Sequence, residues 1–225
     1  MVKYFTTLLL SVFMSSAFAA DTVVYGFDDT GKNIKFGQKT NVFHFIEQYK
    51  KSNKNGKAFY AAGVGSSYEG GNFNPLNYAG KMTGVGGRKI VNDMYDELVK
   101  NYKNDHKGIV LIGYSRGAAL AREFAHIIDE RGDPLEYQEG QEPQGKAPTI
   151  IFMGLFDTVY SFGLAAGKID LGYHKTVPSN VLAVAHATAQ LEKRNIFDLW
   201  SIHTNEEHLN KTTCCTQYQW LQKRA

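Results

Sequence analysis

The sequence predicts an α/β fold with a mostly parallel sheet flanked by helices. Two observations carry this. Short apolar runs alternate with segments of helical periodicity, and those runs are continuous rather than alternating with polar residues. A strand buried on both faces reads this way, and parallel sheets are covered on both faces. A third observation bears on function. A Gly-x-Ser-x-Gly turn, Gly113 to Gly117, stands between one such run and an amphipathic segment.

In order, "TVVYGF" (22–27) is β-branched and aromatic and reads as a strand, and "DDTGKN" after it as a turn. "TNVFHFIEQYKKS" places Val42, Phe43, Phe45, Ile46 and Tyr49 at helical spacing. "KAFYAAGVGSS" reads as a second strand closed by glycines. The Gly/Asn-rich stretch 66–80 carries Tyr68, Phe73 and Tyr78 and could border a pocket. A helix follows, with Ile90, Val91, Met94, Tyr95, Leu98 and Val99 in one stripe. "GIVLIGYS" is an apolar strand. "RGAALAREFAHIIDERG" is a helix with Leu120, Phe124, Ile127 and Ile128 inward and Arg122, Glu123, Asp129 and Glu130 outward. "PLEYQEGQEPQGKAP" is a polar loop, "TIIFMGLFDTV" a buried strand running into a turn, and "SNVLAVAHATAQLEKRNIF" a last helix.

Bulk properties narrow the function. The chain has 225 residues, 43% hydrophobic and 21% charged, with a net charge of +3, enough for one domain with a sizeable core. No basic run suggests nucleic acid. Residues 1–19 have the layout of a secretory signal peptide: Lys3, an apolar run from Leu8 to Met14, then Ala17-Phe18-Ala19. The run is shorter than the roughly 20 residues that span a bilayer. The expectation is an exported protein, periplasmic or secreted, whose residues 20–225 form the domain. The two cysteines, Cys214 and Cys215, are adjacent and make no disulfide framework. No His or Cys spacing suggests a metal, so no cofactor is expected.

The Gly-x-Ser-x-Gly turn is where a nucleophile elbow belongs. A tight strand-to-helix turn aims the Ser115 oxygen at the helix N-terminus. Glycine at 113 and 117 allows close backbone approach. The Arg116 N–H can donate to an oxyanion, and the helix dipole favours negative charge there. The alternative is a serine that merely caps its helix. In such hydrolases the order is Ser, then an acid, then His. Asp157 ends a later buried strand and fits the acid. Asp170 and Asp198 lie in weaker settings.

At this point the blocks resemble the α/β-hydrolase domain of the first class of type VI secretion phospholipase effectors and their largely uncharacterised relatives. Those carry an Asp-Gly-Thr turn after the first strand, here "FDDTGKN". They also carry a Tyr-x-x-Gly-Val-Gly block, here "FYAAGVGSS". "GYSRGAALAR", "GLFDTV" and "HATAQLEKRNIF" match further blocks. The resemblance implies an α/β-hydrolase-like fold, Ser115 as nucleophile, Asp157 as acid, and a lipid ester as substrate, met at a membrane surface. It names no protein partner. The turn Asp28-Asp29-Thr30 stands where a second oxyanion donor is expected, with Asp29 in place of the glycine.

The resemblance breaks at the histidine. The family's Gly-x-His-Ser-Asp-x-Gly-Gly block should follow "SIHTNEEHLNKTT", where this chain reads "CCTQYQWLQKRA". The domain is therefore expected to be incomplete at its C-terminal end. His203 and His208 alone have the right order for a base. His44, His106 and His126 precede Asp157, His174 falls in an exposed loop, and His186 falls on the last helix. The sequence thus leaves two readings: an exported serine esterase of the phospholipase or lipase kind, or a protein that keeps the fold without the triad histidine. Effectors of this kind are loaded from the cytosol, so a signal peptide sets this chain apart from them.

Overall fold

The computed structural model describes residues 22–54, 56–66, 86–103, 108–160, 172–189, 202 and 214–220. The signal-peptide segment, most of the aromatic stretch 66–80, His106, Asp170, Asp198, His203 and His208 lie outside them.

The described elements are β1 (Thr22–Phe27), α1 (Asn41–Ser52), β2 (Lys57–Ala61), α2 (Gly87–Asn101), β3 (Gly108–Tyr114), α3 (Arg116–Arg131), β4 (Ile150–Phe156), β5 (Ala183–Ala189) and β6 (Cys214–Trp220). A single-turn 3-10 helix, Ile34–Phe36, precedes α1. The strands form one six-stranded sheet in the order β2-β1-β3-β4-β5-β6. Every pairing is parallel.

The pleat sorts each strand's residues between two cores. Val23, Tyr25, Phe27, Ile109 and Leu111 face α2 and α3, where they meet Val91, Met94, Leu98, Leu120 and Phe124. Val24, Val110 and Ile112 face α1, against Val42, Phe45, Ile46 and Tyr49. Both faces are covered, and this is why β1 and β3 read as unbroken apolar runs. Helix α1 begins on Thr40, whose hydroxyl accepts the Phe43 N–H at 3.2 Å.

Two expectations are corrected here. The predicted last helix contains strand β5, paired with β4 from Met153↔Val184 to Phe156↔Ala187. Val184, His186 and Thr188 are buried while Ala185 and Ala187 are half-buried, a period of two. The alanines favour a helix locally, but burial against β4 overrides that weak preference. His186 therefore sits on a strand. The second correction concerns Arg122 and Glu123, expected on the outer face of α3. They are 0% and 2% exposed, because the segment 172–178 covers that face. Arg122 donates to the Lys175 carbonyl at 2.9 Å, and Glu123 accepts the His174 N–H at 2.8 Å.

Candidate active site

The sheet order reverses between β1 and β3. In open parallel sheets that reversal opens a crevice at the carboxyl ends of the strands. The register places the candidate residues on this edge. Phe27 pairs with Gly113, Tyr114 with Phe156, and Phe156 with Ala187. The ladder continues one step further: Asp28 N–H donates to Ala61 O at 3.0 Å, Ser115 N–H to Phe156 O at 2.8 Å, and Asp157 N–H to Ala187 O at 2.9 Å. Asp28, Ser115 and Asp157 thus leave the sheet side by side.

Ser115 stands before α3 with φ 56° and ψ −123°, and its side chain makes no capping bond. A non-glycine residue here is strained, and strain of this kind costs about 1–3 kcal/mol. A serine that only capped the helix would adopt an extended backbone and bond an N–H of the first turn. Close packing holds the strain. A Cβ on Gly113 would lie 2.5 Å from Ala118 Cα, and one on Gly117 would lie 2.3 Å from Phe27 O and 2.4 Å from Asp28 O. The helix thus starts directly against the end of β1. Gly117→Ala is expected to destabilise the protein by about 2–4 kcal/mol, read as a lower urea midpoint at unchanged slope.

Asp157 also has positive φ, 45°. The next residue is tied down from two sides. Thr158 donates its N–H to His186 Nε2 at 3.3 Å, and its hydroxyl lies 3.1 Å from the same nitrogen and 3.3 Å from Arg122 Nη2. The buried Arg122 and His186 thereby fix the turn that presents Asp157. Sequence reasoning missed both roles, because neither residue is near Asp157 in the chain.

The turn after β1 is dense with carboxylate contacts. Asp28 accepts the Thr40 hydroxyl at 2.9 Å and the Tyr60 hydroxyl at 2.7 Å through Oδ2, and the Asp29 N–H at 2.7 Å through Oδ1. Asp29 Oδ1 accepts the Thr30 N–H at 2.6 Å. The Gly31 N–H goes to Val64 O and that of Lys32 to Asp29 O. In this arrangement the amides of residues 28–32 all have acceptors. The Ser115 side chain stands beside the Asp29 carboxyl and favours its ionised form. Burial pushes the Asp29 carboxyl above its ordinary range, opposed by the neighbouring Ser115 side chain and the Thr30 N–H. Arg116 is buried beside it and donates from Nη1 to Thr30 Oγ1 at 3.1 Å.

The described histidines make other contacts. His44 is exposed on α1. His186 serves Thr158, while His126 and His174 stack on each other with ring centroids 4.2 Å apart. Among the described residues, the acidic group beside the Ser115 side chain is Asp29, at the position where the related turn carries glycine.

Comparison with known proteins agrees with this architecture. Similar solved structures include an uncharacterized protein from Pseudomonas aeruginosa, with TM-score 0.54 and 19% identity over 96% of this chain and 42% of that one. This chain thus spans less than half the length of that protein. Also similar are the RedJ thioesterase of Streptomyces coelicolor, with TM-score 0.49 and 10% identity over 91% and 84% of the two chains, and the esterase LipW of Mycobacterium marinum, with TM-score 0.43 and 12% identity over 90% and 64%. No curated protein sequence matches significantly. The fold is that of the α/β-hydrolases. Residues 22–134 match the family described as "T6SS, Phospholipase effector Tle1-like, catalytic domain". These residues run from β1 through the elbow and α3, and on them the chain belongs to the Tle1-like phospholipase effector catalytic-domain family.

Proposed function

We infer that the protein is an exported serine hydrolase of ester bonds, with phospholipids or other lipid esters as its substrate class. The observation that carries this is the Ser115 backbone, strained at a strand-to-helix turn without serving as a cap. Ser115 Oγ attacks the ester carbonyl and its proton passes to a histidine, which returns it to the departing alcohol. Water then attacks the acyl-enzyme, and Ser115 is restored by the reverse proton path. Asp157 orients the histidine. The Arg116 N–H stabilises the tetrahedral oxyanion. His203 and His208 are the candidates for the base, both outside the described residues.

A test is hydrolysis of p-nitrophenyl esters and phospholipid vesicles by purified protein beside Ser115→Ala. Activity that falls in the variant by at least about a thousandfold supports the assignment. Equal activity in both would move the chemistry away from Ser115.

A second reading is favoured by Asp29. Its carboxyl stands beside the Ser115 side chain and accepts the Thr30 N–H, so a substrate oxyanion would meet an acidic group rather than a second donor. A catalytically impaired protein that keeps the fold is consistent with this. The readings separate on Asp29→Gly, which restores the residue of the related turn. In an active hydrolase it frees the Thr30 N–H and raises turnover by about tenfold or more, a fraction of the value of one oxyanion donor. In an impaired protein neither chain turns over.

Export rests on residues 1–19. Among the described residues, no helix is long and apolar enough to cross a membrane. Expression with the native N-terminus should yield a product starting at Ala20 outside the cytosol, by N-terminal sequencing of the cell fractions. A full-length cytosolic chain would contradict it.

A further inference from the structure

A second cluster of polar groups lies on the C-terminal half of α3, away from the elbow. His126 and Glu130 are one turn apart on that helix and share a face. His174 comes to them from the covering segment 172–178, distant in sequence and close in space. One ligand atom from each of the three residues lies within 4.8 Å of the other two.

The contacts around the cluster favour particular tautomers of the two rings. His174 Nδ1 lies 2.9 Å from Glu123 Oε2, and the Glu123 side chain is only 3% exposed. The carboxylate accepts, so Nδ1 carries the hydrogen. His174 Nε2 faces Glu130 Oε1 at 3.3 Å, a contact between two acceptors unless a proton or a metal ion stands between them. His126 Nε2 faces the Thr176 carbonyl at 3.3 Å and the Thr176 hydroxyl at 3.1 Å. A carbonyl cannot donate, so a hydrogen on His126 Nε2 satisfies that contact and leaves the lone pair on Nδ1. The two rings lie nearly parallel, 16° apart. With both imidazoles neutral in these tautomers, three acceptors gather. Such a group repels itself unless a cation sits within it. The arrangement is also how metal-binding histidines are held: one ring nitrogen binds the ion while the other donates to a buried carboxylate or a carbonyl.

We propose that His126, Glu130 and His174 bind a divalent transition-metal ion of the zinc class, with Glu123 and Thr176 as the outer partners that orient the two imidazoles. Two imidazole nitrogens and one carboxylate oxygen suit zinc and disfavour calcium and magnesium, which take oxygen ligands. The fourth position is left to water. Metal–nitrogen bonds of about 2.1 Å place tetrahedral ligands roughly 3.4 Å apart. The contraction is within reach, because the side chains of His174 and Glu130 are 40% and 56% exposed and can rotate. The ion would fasten the segment 172–178 to α3. That segment also receives Arg122 through the Lys175 carbonyl, so the ion supports the same face of α3 that steadies Thr158.

The test uses the purified full chain, freed of metal with a chelator and titrated with zinc chloride. Binding is read by equilibrium dialysis with elemental analysis and by thermal melting. The expected result is one zinc per chain at low micromolar concentration and a melting temperature raised by several degrees. Glu130→Gln and His126→Gln should each lower the affinity at least about tenfold. Glu130 is exposed, so its replacement leaves the fold intact. No uptake by the folded protein would overturn the proposal and leave a proton on His174 as the cation between the two glutamates. Uptake unchanged in both variants would also overturn it and place the ion elsewhere, Cys214 and Cys215 being the next ligands to replace.

Discussion

Replacing Asp157 by Asn should lower ester turnover by about a thousandfold to ten-thousandfold while leaving the fold in place. The size follows from the acid's role: it selects the histidine tautomer and stabilises the imidazolium, and an amide does neither. The fold survives because the substitution is nearly isosteric and Asn tolerates the positive φ of 45° found here. The backbone of the turn is also held by bonds that do not involve the carboxylate. The Asp157 N–H goes to Ala187 O, and Thr158 is held by His186 and Arg122. The readout is turnover on a soluble ester together with the urea midpoint. Full activity in a folded Asp157→Asn protein would assign the acid to another residue, with Asp170 and Asp198 next in order along the chain.

The second large effect is structural. A Cβ on Gly63 would lie 1.6 Å from the Asp29 carbonyl oxygen, 2.3 Å from its carbon and 3.0 Å from Asp28 O. All three are backbone atoms, so no side-chain rotation relieves the overlap. The two turns are interlocked as well: Gly63 N–H donates to Lys32 O, and Gly31 N–H to Val64 O. Gly63→Ala must therefore push apart the loops after β1 and β2. Overpacking a tight site costs about 1–3 kcal/mol, and backbone against backbone should reach or exceed the upper end. Chemical denaturation measures the loss. Because the displaced turn carries Asp29, the variant should also change Ser115 reactivity, and a folded protein with both properties unchanged would contradict the packing described here.

Much of this was legible in the chain. The cores of α1, α2 and α3 follow from the 3.6-residue period, and β1 and β3 from unbroken apolar runs. Gly113 and Gly117 were readable as close-approach positions because the motif sits between a strand and a helix. What was not legible depended on partners distant in sequence. Strand β5 is alanine-rich and looked helical until β4 supplied its pairing. Arg122 and Glu123 looked like a solvated face because the segment covering them begins some fifty positions later. Asp29 was visible as a departure from the related turn, but its place beside Ser115 needed β1 and β3 brought together. His126 and His174 have no telling spacing, since their meeting is made by α3 and the crossing segment.

The most direct test of the central claim is covalent labelling of the purified protein with a fluorophosphonate probe, read by peptide mass spectrometry. An activated serine reacts with such a probe whatever its natural substrate. The account predicts a phosphonyl adduct on the peptide containing Ser115, absent in Ser115→Ala and formed faster in Asp29→Gly. A folded protein with no adduct on Ser115, in both the native chain and Asp29→Gly, would contradict the assignment of Ser115 as a nucleophile.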